Sequence, residues 1–191
     1  PKVVSYIDVI TGRREIGKRV AIIGTGGIGY DVAVMLTHPE HAPESIDDYL
    51  AAWGVDAAIS SPGGLQSPVL HPSPRAVALF QRGAGRPGER LGKSTGWIHR
   101  IELKRRGVQT FARCVYRKID DAGLHYSVDG KDFLFEADNV VICAGQETNH
   151  ALADALAAAG VTVHRIGGAR LAGELDAVRA TDEGMRLAYS F

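Results

Sequence analysis

Several features that would place this chain in a class at once are missing. Neither sign of charge is in excess: Lys plus Arg and Asp plus Glu number 22 each, so no net field draws the chain to nucleic acid or to an anionic membrane. No run of about 18 apolar residues is present, and the start lacks the basic, apolar and cleavage regions of an export signal. This predicts a soluble cytoplasmic protein with neither a nucleic-acid nor a membrane partner. Cysteine is scarce: Cys114 and Cys143 lie in separate apolar runs without a C-x-x-C partner, which points to buried free thiols rather than a disulfide or a metal site. Of seven scattered histidines only His38 and His41 are neighbours, in a proline-rich loop, and no metal motif results. The first residue is Pro1 rather than Met, and the opening reads as the middle of a chain, so a piece of a longer protein is expected.

What is present suffices for a core. Apolar residues make up 45% of 191, which suits one large domain or one and a half small ones. The pattern centres on residues 18–29. Val20, Ala21, Ile22 and Ile23 read as a buried parallel strand that runs into Gly24, Thr25, Gly26, Gly27, Ile28 and Gly29, and a helical pattern continues from Tyr30 to Leu36. Glycines at G-x-G-x-x-G spacing between strand and helix suit a dinucleotide. Gly24 permits the turn, Gly26 admits a pyrophosphate to the backbone, Gly29 lets helix and strand pack, and the helix start offers unpaired amides with partial positive charge. A strand that merely needs a sharp exit can also carry such glycines, so the motif gains its weight from its context.

Around this centre the chain reads as follows. Val3, Val4, Ile7 and Ile10 fit one face of a short helix in a lead-in segment, residues 1–11. Pro39 should end the helix after the glycines. A plain βαβ unit would then supply a second strand within a few residues, yet residues 38–74 intervene and hold six of the eight prolines. In this insertion residues 45–53 read as an amphipathic helix with Ser45 as N-cap, and residues 60–74 as irregular; so long a loop is either functional or a decoration on its own domain. Residues 76–80 are a second buried strand, ending near Arg82. Dinucleotide folds that take NAD place Asp or Glu there for the ribose hydroxyls, whereas a 2′-phosphate needs a cation and no acid. A solvated surface arginine would look the same. Residues 83–93 form a basic, glycine-rich loop that can close over phosphates or act as a linker. Ser94 and Thr95 open a helix ending at Gly107, with Trp97 as core or interface anchor or as a stacking platform. From residue 108 to 136 the period is two, an antiparallel meander of short strands. Residues 139–145 return to a buried parallel strand whose exit at Ala144 and Gly145 lets backbone approach a cofactor. A helix at 149–159, a strand at 161–166 running into Gly167 and Gly168, and a helix at 173–189 complete an α/β, Rossmann-like chain.

Four strings together resemble bacterial NADPH-dependent 2,4-dienoyl-CoA reductase: residues 20–31 around the glycines, 91–100 (Leu-Gly-Lys-Ser-Thr-Gly-Trp-Ile-His-Arg), 140–147, and Ile166-Gly167-Gly168 with Glu174-Leu175-Asp176-Ala177. The resemblance implies a larger enzyme of glutathione-reductase-like architecture. In it a TIM barrel carries FMN, a 4Fe-4S cluster and the dienoyl-CoA site, and an NADPH domain is inserted within a FAD domain. Residues 12–144 would then bind NADPH and residues 145–191 would be the returning part of the FAD domain, its site only partial here; the barrel and the rest of the FAD domain would be the partners. By motif, Gly24 to Gly29 would hold the NADPH pyrophosphate and Arg82, with Arg86, Arg90 or Lys93, the 2′-phosphate, while Gly167, Gly168, Leu175, Asp176 and Ala177 would face FAD. No residue of this chain would be catalytic. Ala169 stands where many relatives have an Asp for a ribityl hydroxyl. Two other readings stay open: a nucleotide-binding module of an amine- or enoate-type flavoprotein, and a non-catalytic assembly module.

Overall fold

A strand buried on both faces needs apolar residues at every position, and that is what fixes the centre of this fold. The computed structural model describes residues 2–38, 45–173 and 175–191. Two compact units divide it, residues 1–144 and 145–191.

The first unit runs β1 (Val3–Ser5), α1 (Tyr6–Ile10), β2 (Arg19–Ile23), α2 (Gly27–Thr37), α3 (Ile46–Trp53), β3 (Ala76–Phe80), α4 (Gly96–Arg105), β4 (Gln109–Phe111), β5 (Val115–Asp120), β6 (Gly123–Val128), β7 (Lys131–Glu136) and β8 (Asn139–Ile142). Five strands form a parallel sheet in the order β1-β8-β2-β3-β4, and β5-β6-β7 form a separate antiparallel sheet. Alternation along β2 divides the core. Val20 and Ile22 face α1, α2 and α4 together with Val77, Leu79 and Val141, whereas Ala21 and Ile23 face the meander with Phe80, Leu124, Tyr126 and Val140. Phe80 anchors that second layer, its ring 4.9 Å from Phe111, 5.1 Å from Tyr126 and 5.4 Å from Phe135. Polar groups tie the return of the meander to the start of β2: Asp138 accepts from the amides of Lys18 (2.9 Å) and Arg19 (2.8 Å), and Asn139 Oδ1 from that of Gly17 (2.8 Å).

Three expectations for this unit need correction. Val3 and Val4 belong to a strand, not a helix, because the edge of β8 is open to pair with these β-branched residues; Ser5 then caps α1 by accepting from Asp8 N (3.1 Å), so the lead-in is part of the sheet. Residues 109–111 are not in the meander: α4 carries the chain over so that they pair parallel with β3. Trp97 is no core anchor, being 51% exposed, with its indole N–H on Ser94 O at 3.0 Å. The insertion helix does form, closed by a capping box between Ser45 and Asp48 and ended by Gly54. His41 and the other residues of 39–44 lie outside the described residues.

The second unit contains α5 (Ala151–Ala158), a 3-10 turn (Gly167–Ala169) and α6 (Ala177–Ala188). Residues 161–166 are not a strand. Among the described residues no strand pairs with them, and Val161 N instead bonds Leu156 O at the end of α5 (3.0 Å). The last helix begins at Ala177 rather than near Gly173, because Asp176 is its N-cap, accepting from Arg179 N at 2.8 Å. No large apolar side chain of this unit is buried among the described residues, and Leu152, Val178, Tyr189 and Phe191 are all more than 70% exposed. No described helix is long and apolar enough to cross a membrane.

Candidate functional site

The exits of β2, β3 and β8 converge on the glycine turn. Gly24 has φ +122° and donates its amide to Phe80 O (2.9 Å), so the turn is held to β3. A Cβ on Gly24 would lie 2.5 Å from Cys143 O, and one on Gly29 would lie 2.1 Å from Gly24 O. Helix, strand and the Cys143–Ala144 exit therefore meet backbone to backbone. Gly26 and Gly27 are the opposite case, because a Cβ on either meets nothing within 4 Å. They face open space at the start of α2. Gly26 is the N-cap and has no side chain to offer, the first bond of the helix is Tyr30 N to Gly26 O (3.1 Å), and the amides of Gly26, Gly27 and Ile28 have no acceptor among the described residues. An exposed set of unpaired amides on a helix dipole is an anion cradle.

Gln81 connects this turn to the basic loop, and sequence reasoning overlooked it. Thr25 Oγ1 donates to Gln81 Oε1, while Gln81 Nε2 donates to Gly83 O (3.1 Å) and Gly85 O (2.5 Å). The signal was available: a polar residue directly at the end of a buried strand, opposite the glycine turn. A neutral amide thus stands where an acid would repel a phosphate. Arg82 next to it is exposed and makes no hydrogen bond or ion pair among the described residues, and its charge partly offsets the burial that pushes the Tyr116 hydroxyl up to about 12. The loop is anchored, not loose. Gly88 is buried against Tyr30, where a Cβ would meet the ring at 2.6 Å, and Gly88 O accepts from Arg100 Nη1 (2.9 Å). Burial raises the Tyr30 hydroxyl, and the guanidinium groups of Arg100 and Arg86 oppose that shift. Lys93 is exposed in the turn before α4, with no bond tying it to the glycines. Cys143, beneath the turn, is a free thiol pushed up to about 12 by burial, so it stays protonated and unreactive.

In the second unit the residues proposed to face FAD are organised by Glu183. Gly167 N donates to Glu183 Oε2 (2.6 Å), Arg170 Nη2 to Oε1 (2.6 Å), and the Leu175 side chain lies over Gly168, 3.1 Å from where a Cβ would be. The Gly167 amide and the Asp176 carboxylate are thus already used within the chain, which leaves the amides of Gly168, Ala177 and Val178 for a ligand. Gly145, with φ +87°, has open space around it. Arg170 and the Gly167 amide depress the Glu183 carboxyl from an ordinary 4.5 to about 2. A depressed carboxylate stabilises above its unfolded value and loses that contribution as pH falls through the folded one. The protection factor of the Gly167 amide, its exchange relative to an unstructured chain at the same pH, is therefore expected to fall as pH drops from about 4.5 towards 2, and Glu183→Ala to show low protection throughout; a protection factor unchanged over that range in the native chain would remove Glu183 from this role. Among the described residues no group of His, Cys, Asp and Glu is arranged to hold a metal ion.

A family described as pyridine nucleotide-disulphide oxidoreductase matches residues 7–178. A metal reductase of Desulforamulus reducens is 24% identical over 156 residues, 81% of this chain and 22% of that protein. Among solved structures, a 2-naphthoyl-CoA reductase in complex with 2-naphthoyl-CoA superposes with a TM-score of 0.66 at 22% identity, over 98% of this chain and 23% of the other. A 6-hydroxypseudooxynicotine amine oxidase from Pseudomonas geniculata N1 gives 0.65 at 19%, over 97% and 24%. The chain thus spans about a quarter or less of the length of each of these three proteins.

Proposed function

The chain belongs to the pyridine nucleotide-disulphide oxidoreductase family, and from that premise we propose that its first unit is the NADPH-binding portion of a flavin-dependent reductase acting on a 2,4-dienoyl-CoA. The observation that carries the nucleotide part is the open face at Gly26 over three unpaired amides, framed by Gly24 and Gly29, which admit no side chain. Those amides hold the pyrophosphate. Gln81 fixes Thr25 and the loop without adding negative charge, and Arg82 supplies a planar fork of donors for a 2′-phosphate. NADPH bound there would supply a hydride, two electrons and a proton, and FAD, together with the FMN and 4Fe-4S cluster that the motif resemblance implies on the rest of the polypeptide, would supply the electron-transfer chemistry for reduction of the acyl-CoA. In the second unit Gly168, Ala177 and Val178 offer backbone amides to FAD, with Asp176 holding the helix start and Leu175 covering Gly168. The dienoyl-CoA assignment rests on the motif resemblance, and the likeness of fold to a 2-naphthoyl-CoA reductase is in keeping with it.

Calorimetric titration of the chain with NADPH and NADH at fixed ionic strength tests this reading. Saturable binding is expected, about tenfold or more tighter for NADPH, the effect of one charged hydrogen bond. No binding of either, or tighter binding of NADH, would contradict it.

A further inference from the structure

At the far end of α2 from the glycine turn lies a second site. The helix has 11 residues, so its ends are about 16 Å apart. Beyond its C-terminal end a cavity of about 530 Å³ opens between α3, residues 69–71 and α4. That size is within the roughly 300–1,000 Å³ of small-molecule pockets. Its walls are apolar and aromatic, with the Tyr49 and Trp53 rings 6.4 Å apart and Leu70 and Ile98 alongside. The insertion supplies one wall and α4 the other.

Among the described residues its lining carries two carboxylates, two guanidinium groups and two imidazoles. Both of its acids are engaged: Asp48 closes the capping box, accepting from Ser45 Oγ at 2.8 Å, and Glu102 Oε1 lies 3.2 Å from Arg106 Nη2 and 3.1 Å from His38 Nε2. Arg106 is engaged as well, donating to Thr37 O (2.9 Å) and to His38 Nε2 (2.9 Å). Arg105 is different. Its guanidinium lies 5.1 Å from the centre of the Trp53 ring, and its hydrogen bond among the described residues is a long one, from Nη1 to Ala52 O at 3.2 Å. Nε and Nη2 are left as donors, and His71 at the rim makes no hydrogen bond among the described residues. One planar cation and an imidazole beside an indole match a two-oxygen planar anion on a flat apolar body. A phosphate dianion would need more positive charge than Arg105 and His71 offer.

We propose that this cavity binds a small planar aromatic carboxylate, its ring against Trp53 and Tyr49 and its carboxylate on Arg105 and His71. The site is separate from the nucleotide turn and does not depend on the function proposed for it. Calorimetry with indole-2-carboxylate and its neutral amide, indole-2-carboxamide, provides the test. The acid is expected to bind saturably and the amide about tenfold more weakly, as loss of one charge-assisted contact requires. Arg105→Met is expected to bring the acid down to the level of the amide and leave the amide unchanged. If that variant does not fold, His71→Ala, at an exposed position, is expected to weaken the acid several-fold. Absence of saturable binding by the acid, equal binding of acid and amide, or an acid affinity unmoved in whichever variant folds would overturn the proposal.

Discussion

Replacing Gly29 by alanine is expected to destabilise the first unit by about 3 kcal/mol, the upper part of the range for overpacking a close contact, and to lower its melting temperature by roughly 6–12 °C. The added Cβ would lie 2.1 Å from Gly24 O and 2.9 Å from Gly24 C, both backbone atoms. Relief would require Gly24 to move. Its amide, however, is held on Phe80 O, and the Cys143 carbonyl closes its other side, so the strain spreads into β3 and β8. Calorimetric melting checks this. A near-native melting temperature would mean that α2 and β2 can separate without cost, and the backbone-to-backbone contact would lose its importance.

Gly26 should behave in the opposite way, which makes the pair informative. At Gly26 φ is −81° and ψ −173°, an extended conformation open to any residue, and a new Cβ meets nothing. Serine there is expected to hold or slightly raise the melting temperature, because serine is a better N-cap than glycine by a few tenths of a kcal/mol. The same hydroxyl occupies an amide needed for the pyrophosphate, and the Cβ blocks its approach. Losing two charge-assisted hydrogen bonds, each about 1.5–3 kcal/mol, weakens NADPH by roughly 100-fold or more. A folded Gly26→Ser chain that bound NADPH like the native one would leave the turn as a strand exit and nothing more.

How far such features can be read from sequence depends on how local their causes are. β2, β3 and β8 are legible because burial on both faces writes an unbroken apolar run. The Ser45 cap is legible because its partner Asp48 is three residues away. Short elements are not. β1 and β4 have three residues each, too few to show a period, and only the open edges of β8 and β3 decide their state. Residues 161–166 show the converse, a strand-like composition with no strand to pair with among the described residues. In the candidate site the glycine spacing speaks for itself, while the bridge from Gln81 to Thr25 joins residues 56 apart and exists only once β2 and β3 are adjacent. The cavity between α3 and α4 is of the same kind, since Trp53 and Arg105 meet through packing alone.

The central claim is that this unit receives a nucleotide bearing a 2′-phosphate, and the most direct measurement is a titration of native and Arg82→Ala chains with NADPH and NADH at one ionic strength. Arg82 is exposed, has no hydrogen bond or ion pair among the described residues, and follows the neutral Gln81 at the end of β3, so its removal spares the fold. One hydrogen bond to a charged group is worth about 1.5–3 kcal/mol, so NADPH should weaken by roughly 10- to 150-fold, toward the lower figure if Arg86 shares the phosphate. NADH should be nearly unchanged. Equal losses for the two nucleotides, or no loss for either, would contradict the account and return Arg82 to the solvated surface.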